Sequence, residues 1–208
     1  GGGGGGGRLR PTPQPPFPSL FVETASRELA PAPGAGRDRA SALRLAFLGR
    51  ALGKLLSEGV LVELPLARFF VKMLLGQKPD LGDLASLDPA LAASLAALRR
   101  AGAAEIEAAG LTFAVGVRGA AGAGAAAAVD VELVPGGASL PVTASNVAEF
   151  VHRAAAAHFS AAAPAAAALR SGLEDFLPHS WPRRAFSAAE FAVLLGGGRA
   201  GVSVEDMR

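Results

Sequence analysis

The chain has 208 residues and a mass of 20.8 kDa, enough for one ordinary domain with loose ends. Half of it is apolar, 18% is charged, and the mean hydropathy is +0.35, which excludes global disorder. Twenty cations against eighteen acids leave a net charge of +2, far from the concentrated basic field of a nucleic-acid binder, and the absence of cysteine excludes disulfides, thiolate metal sites and a cysteine nucleophile within these residues.

Residues 1–40 are rich in Gly, Pro and Ala with few large apolar side chains, so they read as a disordered tail. Within it, the apolar patch from Phe17 to Val22 is short enough only to dock on a core formed elsewhere. The start of the chain lacks a charged segment leading into an apolar one. No apolar run is long enough for a membrane span. The expectation is a soluble protein, cytoplasmic or nuclear.

Residues 41–58 have helical periodicity, with Leu43, Phe47, Leu48, Ala51, Leu52, Leu55 and Leu56 on a wide apolar arc. Ser41 is the predicted N-cap and Gly59 the stop. An extended link at 60–64 leads to Pro65, which suits the first position of a second helix that is apolar nearly all round and hence buried. Residues 80–87 predict a short helix or turn. Asp88-Pro89 predicts the capped start of a helix over 89–100. The alternation in 111–115 and 129–134 predicts a hairpin with a long, Gly/Ala-rich loop. Asn146 and Glu149 form a predicted capping box for a helix over 147–159. An Ala-rich helix interrupted by Pro164 follows, and then a helix over 187–195 capped by Ser187 with Glu190.

Most chemical motifs dissolve on inspection. His152 and His158 are six apart, which does not fit the i, i+4 pairing of a helical metal site, and His179 has no carboxylate cluster nearby. The glycine order in 119–124 is wrong for a dinucleotide loop. Trp181 beside Arg183 and Arg184 is too little for a base-stacking surface. Leu91, Leu95 and Leu98 are different, because i, i+4, i+7 spacing puts them on one helix face. Two readings stay open for them: core packing, or an exposed ridge that accepts a partner.

Six blocks in order then carry a resemblance. LAFLGRALGKLLSEGVLVELPLARFFVKMLLGQ (45–77), DLGDLASLDPALAASLAAL (80–98), IEAAGLTFAV (106–115), ELVPGGASLPVTASNVAEFV (132–151), LRSGLEDFLP (169–178) and FSAAEFAVLLGGG (186–198) resemble the N-lobe of HECT-type ubiquitin-protein ligases. Glu63-Leu64-Pro65-Leu66, Lys72 and Leu75-Gly76 fit the family pattern. Departures are Leu173 for the usual Phe, Gly196 for the usual Cys, and Val71 for a common aromatic.

The resemblance implies an α+β fold, mainly α-helical, with a small antiparallel β-hairpin subdomain. It divides the chain into a tail at 1–40, an N-lobe-like domain at 41–198 and the start of a hinge at 199–208. Residues of about 80–155 would form the subdomain that binds a ubiquitin-conjugating enzyme, through Leu91, Ser94, Leu95, Leu98, Leu111 and Phe150. Two further contact positions fall on the small residues Ala101 and Ala154. The implied reaction passes ubiquitin from the conjugating enzyme to a ligase cysteine as a thioester, and then to a substrate lysine. A thiolate is needed because it both attacks and leaves well near neutral pH. These 208 residues hold no cysteine, so alone they are expected to be inactive. Ubiquitin and protein substrates are further implied partners, the substrates through regions outside this chain. No nucleic acid, membrane, metal or cofactor is called for. The alternative is a non-catalytic helical interaction module or a degenerate ligase remnant.

Overall fold

The computed structural model describes residues 19–60, 62–118, 128–177 and 186–196. They form a mainly helical α+β fold with two small antiparallel sheets. The predicted tail is corrected over 19–40. Strands β1 (Phe21–Glu23) and β2 (Leu29–Pro31) pair with Phe21 opposite Pro31 and Glu23 opposite Leu29. Leu29 also bridges in parallel to Leu66, its N–H donating to the Pro65 carbonyl at 2.7 Å while the Ala67 N–H donates back to Leu29 at 2.9 Å. The segment is short of large apolar groups, but backbone pairing supplies its order. Phe21 meets Phe70 edge-on at 6.2 Å, and Ala30 is buried. Residues 1–18 and the expected hinge at 199–208 lie outside the described residues, as do His179, Trp181, Arg183 and Arg184.

Helix α1 (Arg39–Ser57) starts two residues before the predicted cap. Asp38 is the N-cap, accepting from the Ser41 N–H at 2.9 Å. Ser41 is instead buried in the first turn, where its hydroxyl donates to the Asp38 carbonyl and accepts from the Gly36 N–H. The buried face of α1 is Leu45, Gly49, Leu52 and Gly53, whereas Leu43 and Phe47 of the predicted arc stand 60% and 70% exposed. The reason is the crossing with α7 (Ala163–Glu174). A Cβ on Gly49 would overlap the Leu169 carbonyl oxygen, and one on Gly172 would overlap the Ala46 carbonyl oxygen. The helices meet backbone to backbone, which selects the glycine face rather than the bulkiest one.

Because Leu66 is held as a bridge, α2 spans Arg68–Leu74 and does not begin at Pro65. Phe69, Phe70, Val71 and Leu74 of α2 are buried, as its nearly all-round apolar pattern predicts. Gly76, at φ +67°, ends the turn that follows. Next come a 3-10 turn (Leu81–Asp83), α3 (Leu84–Leu87) and α4 (Pro89–Leu98), with Asp88 capping α4 through the Leu91 N–H at 2.9 Å. Helix α5 (Ala103–Ala108) was not anticipated; it buries Ile106, and Glu105 accepts from the Gly102 N–H at its start.

Strands β3 (Ala114–Arg118) and β4 (Ala128–Glu132) make the expected hairpin, with Val115 opposite Val131. β3 starts later than predicted because Leu111 and Phe113 are taken by another backbone pairing. The Val142 N–H donates to Leu111 and the Phe113 N–H to Leu140. Helix α6 (Val147–Ser160) lacks the predicted capping box. The Asn146 side chain accepts from the Thr143 N–H and donates to the Pro141 carbonyl, while Glu149 pairs with Arg153. Pro164 opens α7 in its first turn rather than breaking it, where no hydrogen bond is lost. Helix α8 (Ala188–Gly196) has the expected reciprocal cap between Ser187 and Glu190. The Leu64 N–H donates to Leu195 at 2.6 Å, tying α8 to the segment before α2.

One ionic cluster holds α2 to the turn that launches α3 and α4. The Lys72 ammonium, 12% exposed, donates to Asp83 at 2.6 Å and Asp80 at 2.8 Å. The buried Asp83 carboxylate also accepts from the Asp80 N–H. Burial alone would push the Lys72 amine down, but its bonds to the two aspartates outweigh that and hold it above the ordinary 10.5. The Lys72 hydrogen bond holds the Asp80 carboxyl below the ordinary 3.8, against its slight burial. Asp80's share of stability is complete above 3.8 and fades as pH falls through its lowered value; that of Lys72 is complete below 10.5 and fades as pH rises past its raised value.

Gly172→Ala should lower the urea unfolding free energy by about 3 kcal/mol, whereas Gly196→Ala, whose Cβ would sit 3.7 Å from the Pro65 Cα, should stay within about 0.5 kcal/mol. Asp83→Ala removes the buried carboxylate that pairs Lys72 and accepts from the Asp80 N–H, and should cost about 3 kcal/mol, against less than about 1 kcal/mol for the more exposed Asp80→Ala. In acid melts the gap between wild type and Asp80→Ala should shrink below pH 3.8.

Candidate functional site

The apolar spacing on α4 has a definite outcome in three dimensions. Leu95, in the middle of the stripe, is buried, whereas Leu91 and Leu98 on either side are half-buried. Ser94, one residue before Leu95, is exposed, and its hydroxyl donates to the Ala90 carbonyl in its own helix. Core packing and an accessible ridge are therefore both present, on different residues of the same face.

All six residues singled out in the sequence line one cavity of about 830 Å³. Its floor is Leu95, Phe150 and Ala154, none more than 5% exposed. Phe150 is fixed from below by an edge-to-face contact with Phe113 at 5.5 Å. Leu91 and Leu98 form the wall, and Leu111, 37% exposed, stands on the rim beside Val115 of β3. Leu111 is held there by the carbonyl that accepts from Val142. Ala101, the other small contact position, packs against the core and does not line the cavity.

A further wall was missed in the sequence. Val22, Glu23 and Thr24, with Ala30 of β2, face the α4 side across the cavity. Reading 1–40 as a tail hid them, although the apolar patch ending at Val22 was a usable signal. Charged groups are sparse and sit among the lining residues as Glu23, Asp88, Arg118 and His158. His158 is half-buried; that burial lowers its pKa, and the charge of Asp88 works against the shift.

This arrangement suits binding. Among the described residues, the lining hydroxyls of Thr24 and Ser94 bond to their own neighbourhoods and not to His158. Among the described residues no group of three or more His, Asp or Glu side chains could hold a metal ion. No described helix is long and apolar enough to cross a membrane. What remains is an apolar trough with an accessible leucine rim, the form taken by a surface that receives a partner's side chains.

Residues 14–208 match the family described as HECT-domain (ubiquitin-transferase). The chain is 33% identical over 197 residues to E3 ubiquitin-protein ligase UPL6 of Arabidopsis thaliana, covering 91% of this chain and 18% of that protein. It is 31% identical over 204 residues to Ubiquitin-protein ligase E3B of Homo sapiens, covering 93% and 18%. With E3 ubiquitin-protein ligase HUL5 of Saccharomyces cerevisiae the identity is 29% over 167 residues, covering 78% and 18%. The chain thus spans about a fifth of the length of these relatives. The match over nearly all of its residues, in a fold of the expected class, places the chain in the HECT-domain (ubiquitin-transferase) family.

Proposed function

We propose that this chain is part of a HECT-type ubiquitin-protein ligase and supplies the face on which a ubiquitin-conjugating enzyme docks. The observation that carries this reading is the convergence of Leu91, Ser94, Leu95, Leu98, Leu111 and Phe150 on a single apolar cavity. Residues of about 80–155 act as the docking subdomain. The Lys72 cluster ties its first turn to the rest of the chain.

The reaction served is transfer of ubiquitin from the conjugating enzyme to a ligase cysteine and on to a substrate lysine. The 208 residues contain no cysteine, so the thioester forms on another segment or chain. The contribution of this chain is to raise the local concentration of the loaded donor. Ubiquitin and protein substrates are partners of the whole ligase, in the cytoplasm or nucleus. Affinity should be modest. Covering the accessible parts of Leu91, Leu98 and Leu111 yields less than the ~1.5–3 kcal/mol of a fully buried side chain each. A micromolar complex needs about 8 kcal/mol net, after the entropy of association has been met.

The test is titration of a panel of conjugating enzymes against wild type, Leu111→Asp and Ser94→Arg. Both variants change exposed rim positions and should leave the melting curve unchanged. Each should weaken binding at least about tenfold, since a charge or a bulky cation then faces the partner's apolar surface. Leu95→Asp is less informative because Leu95 is part of the buried floor. If every enzyme that binds wild type binds both rim variants equally well, docking lies elsewhere.

A further inference from the structure

Acyl transfer to lysine makes the chain's own lysines candidate acceptors, and there are only three among 208 residues: Lys54, Lys72 and Lys78. The 17 arginines cannot serve, because a guanidinium keeps its proton and presents no nucleophilic lone pair. The three lysines sit in different chemical settings. Lys72 is 12% exposed, with its ammonium held between Asp80 and Asp83 at 2.8 and 2.6 Å. Making it nucleophilic would mean deprotonating it there, leaving the buried Asp83 with only Arg68, at 3.4 Å, as a counter-charge. Lys54, on the outer side of α1, is 59% exposed but bonded to Glu58 at 2.6 Å. Lys78 is exposed, in the loop between α2 and the 3-10 turn, and among the described residues its amine has no hydrogen-bond or ion-pair partner.

From these settings we infer that Lys78 is the principal ubiquitin-acceptor site on this chain, with Lys54 second and Lys72 protected. The Lys78 amine, once deprotonated, attacks the thioester carbonyl carbon at the C-terminal glycine of a ubiquitin carried by a conjugating enzyme. The ammonium first gives one proton to solvent; the C–N bond then forms, the C–S bond breaks, and the second proton passes from the amine nitrogen to the departing sulfur, which leaves as the enzyme's thiol. An exposed i, i+4 ion pair such as Lys54–Glu58 is weak, so Lys78 should be favoured over Lys54 by only about twofold. Delivery of the donor rests on the docking reading above; the ranking of the lysines does not.

The experiment therefore uses two forms of the full chain with activating enzyme, ATP and ubiquitin. In one, a conjugating enzyme is fused through a long Gly/Ser linker, so that donor and acceptor meet without docking. In the other, the same enzyme is added free. Mass spectrometry of the Gly-Gly remnant reads the modified lysines. In the fusion, Lys78 should carry most of the remnant on the chain, and Lys78→Arg should lower that remnant about threefold, as follows from a twofold preference over Lys54. A fusion that modifies Lys72, or that leaves Lys78 bare, overturns the assignment whatever the docking result. With the enzyme free, modification that survives Leu111→Asp unchanged counts against the docking reading alone.

Discussion

Three glycines on two helices set the geometry on which the body of the chain depends. At Gly49 and Gly172 the backbones of α1 and α7 approach so closely that a methyl group on either would overlap a carbonyl oxygen of the other helix, and one on Gly53 would press on the Leu173 carbonyl oxygen at 3.0 Å. Such an approach replaces interdigitated side chains with backbone contact, and it orients both helices about that line. Leu45 and Leu52 on one helix and Leu169 and Leu173 on the other are then turned inward, and Leu43 and Phe47 are left outside. The rings of Phe69 and Phe159, 5.5 Å apart, continue the core from α2 to α6.

The groove inherits its position from this body through a polar joint. An apolar contact between α2 and the 81–83 turn could slide; Lys72 between two carboxylates has directional bonds and fixes the register. Asp80 serves both sides of the joint, accepting from Lys72 through one carboxylate oxygen and from the Gly82 N–H through the other. The turn therefore leaves the body at a set angle, and α3, α4 and the leucine stripe follow from it. On the far side, Phe113 against Phe150 fixes the floor where the second hairpin meets α6. A trough defined by rigid contacts at both ends suffers little ordering entropy when a partner enters.

This construction separates binding from chemistry. The site is mostly apolar with few ionisable lining residues, and thiol chemistry has no place in a chain without cysteine. Composition reinforces the division. Most of the cations are arginines, such as Arg50 meeting Asp175 and Arg153 meeting Glu149, and a chain with only three lysines presents few amines to a reactive thioester.

Local signals in the sequence carried the helices whose caps and apolar spacing agree: the Asp88-Pro89 start of α4, the reciprocal Ser187–Glu190 cap of α8, and the all-round burial of α2. Of the groove, spacing alone offered Leu91, Leu95 and Leu98; Ser94, Leu111 and Phe150 came from the resemblance to the HECT N-lobe, whose ordered blocks survive even where the intervening loop is low in complexity. Non-local pairing decided the rest. The β1–β2 hairpin is ordered through Leu66, Asn146 turns back to Thr143 and Pro141 instead of capping α6, and β3 begins late because Leu111 and Phe113 pair with residues near 140. Apolar periodicity can say that α1 has a wide hydrophobic arc, but which part of it is buried depends on where another helix can come closest. That choice went to glycine rather than to phenylalanine, since close approach is limited by the smallest side chain on each face and not by the most hydrophobic one.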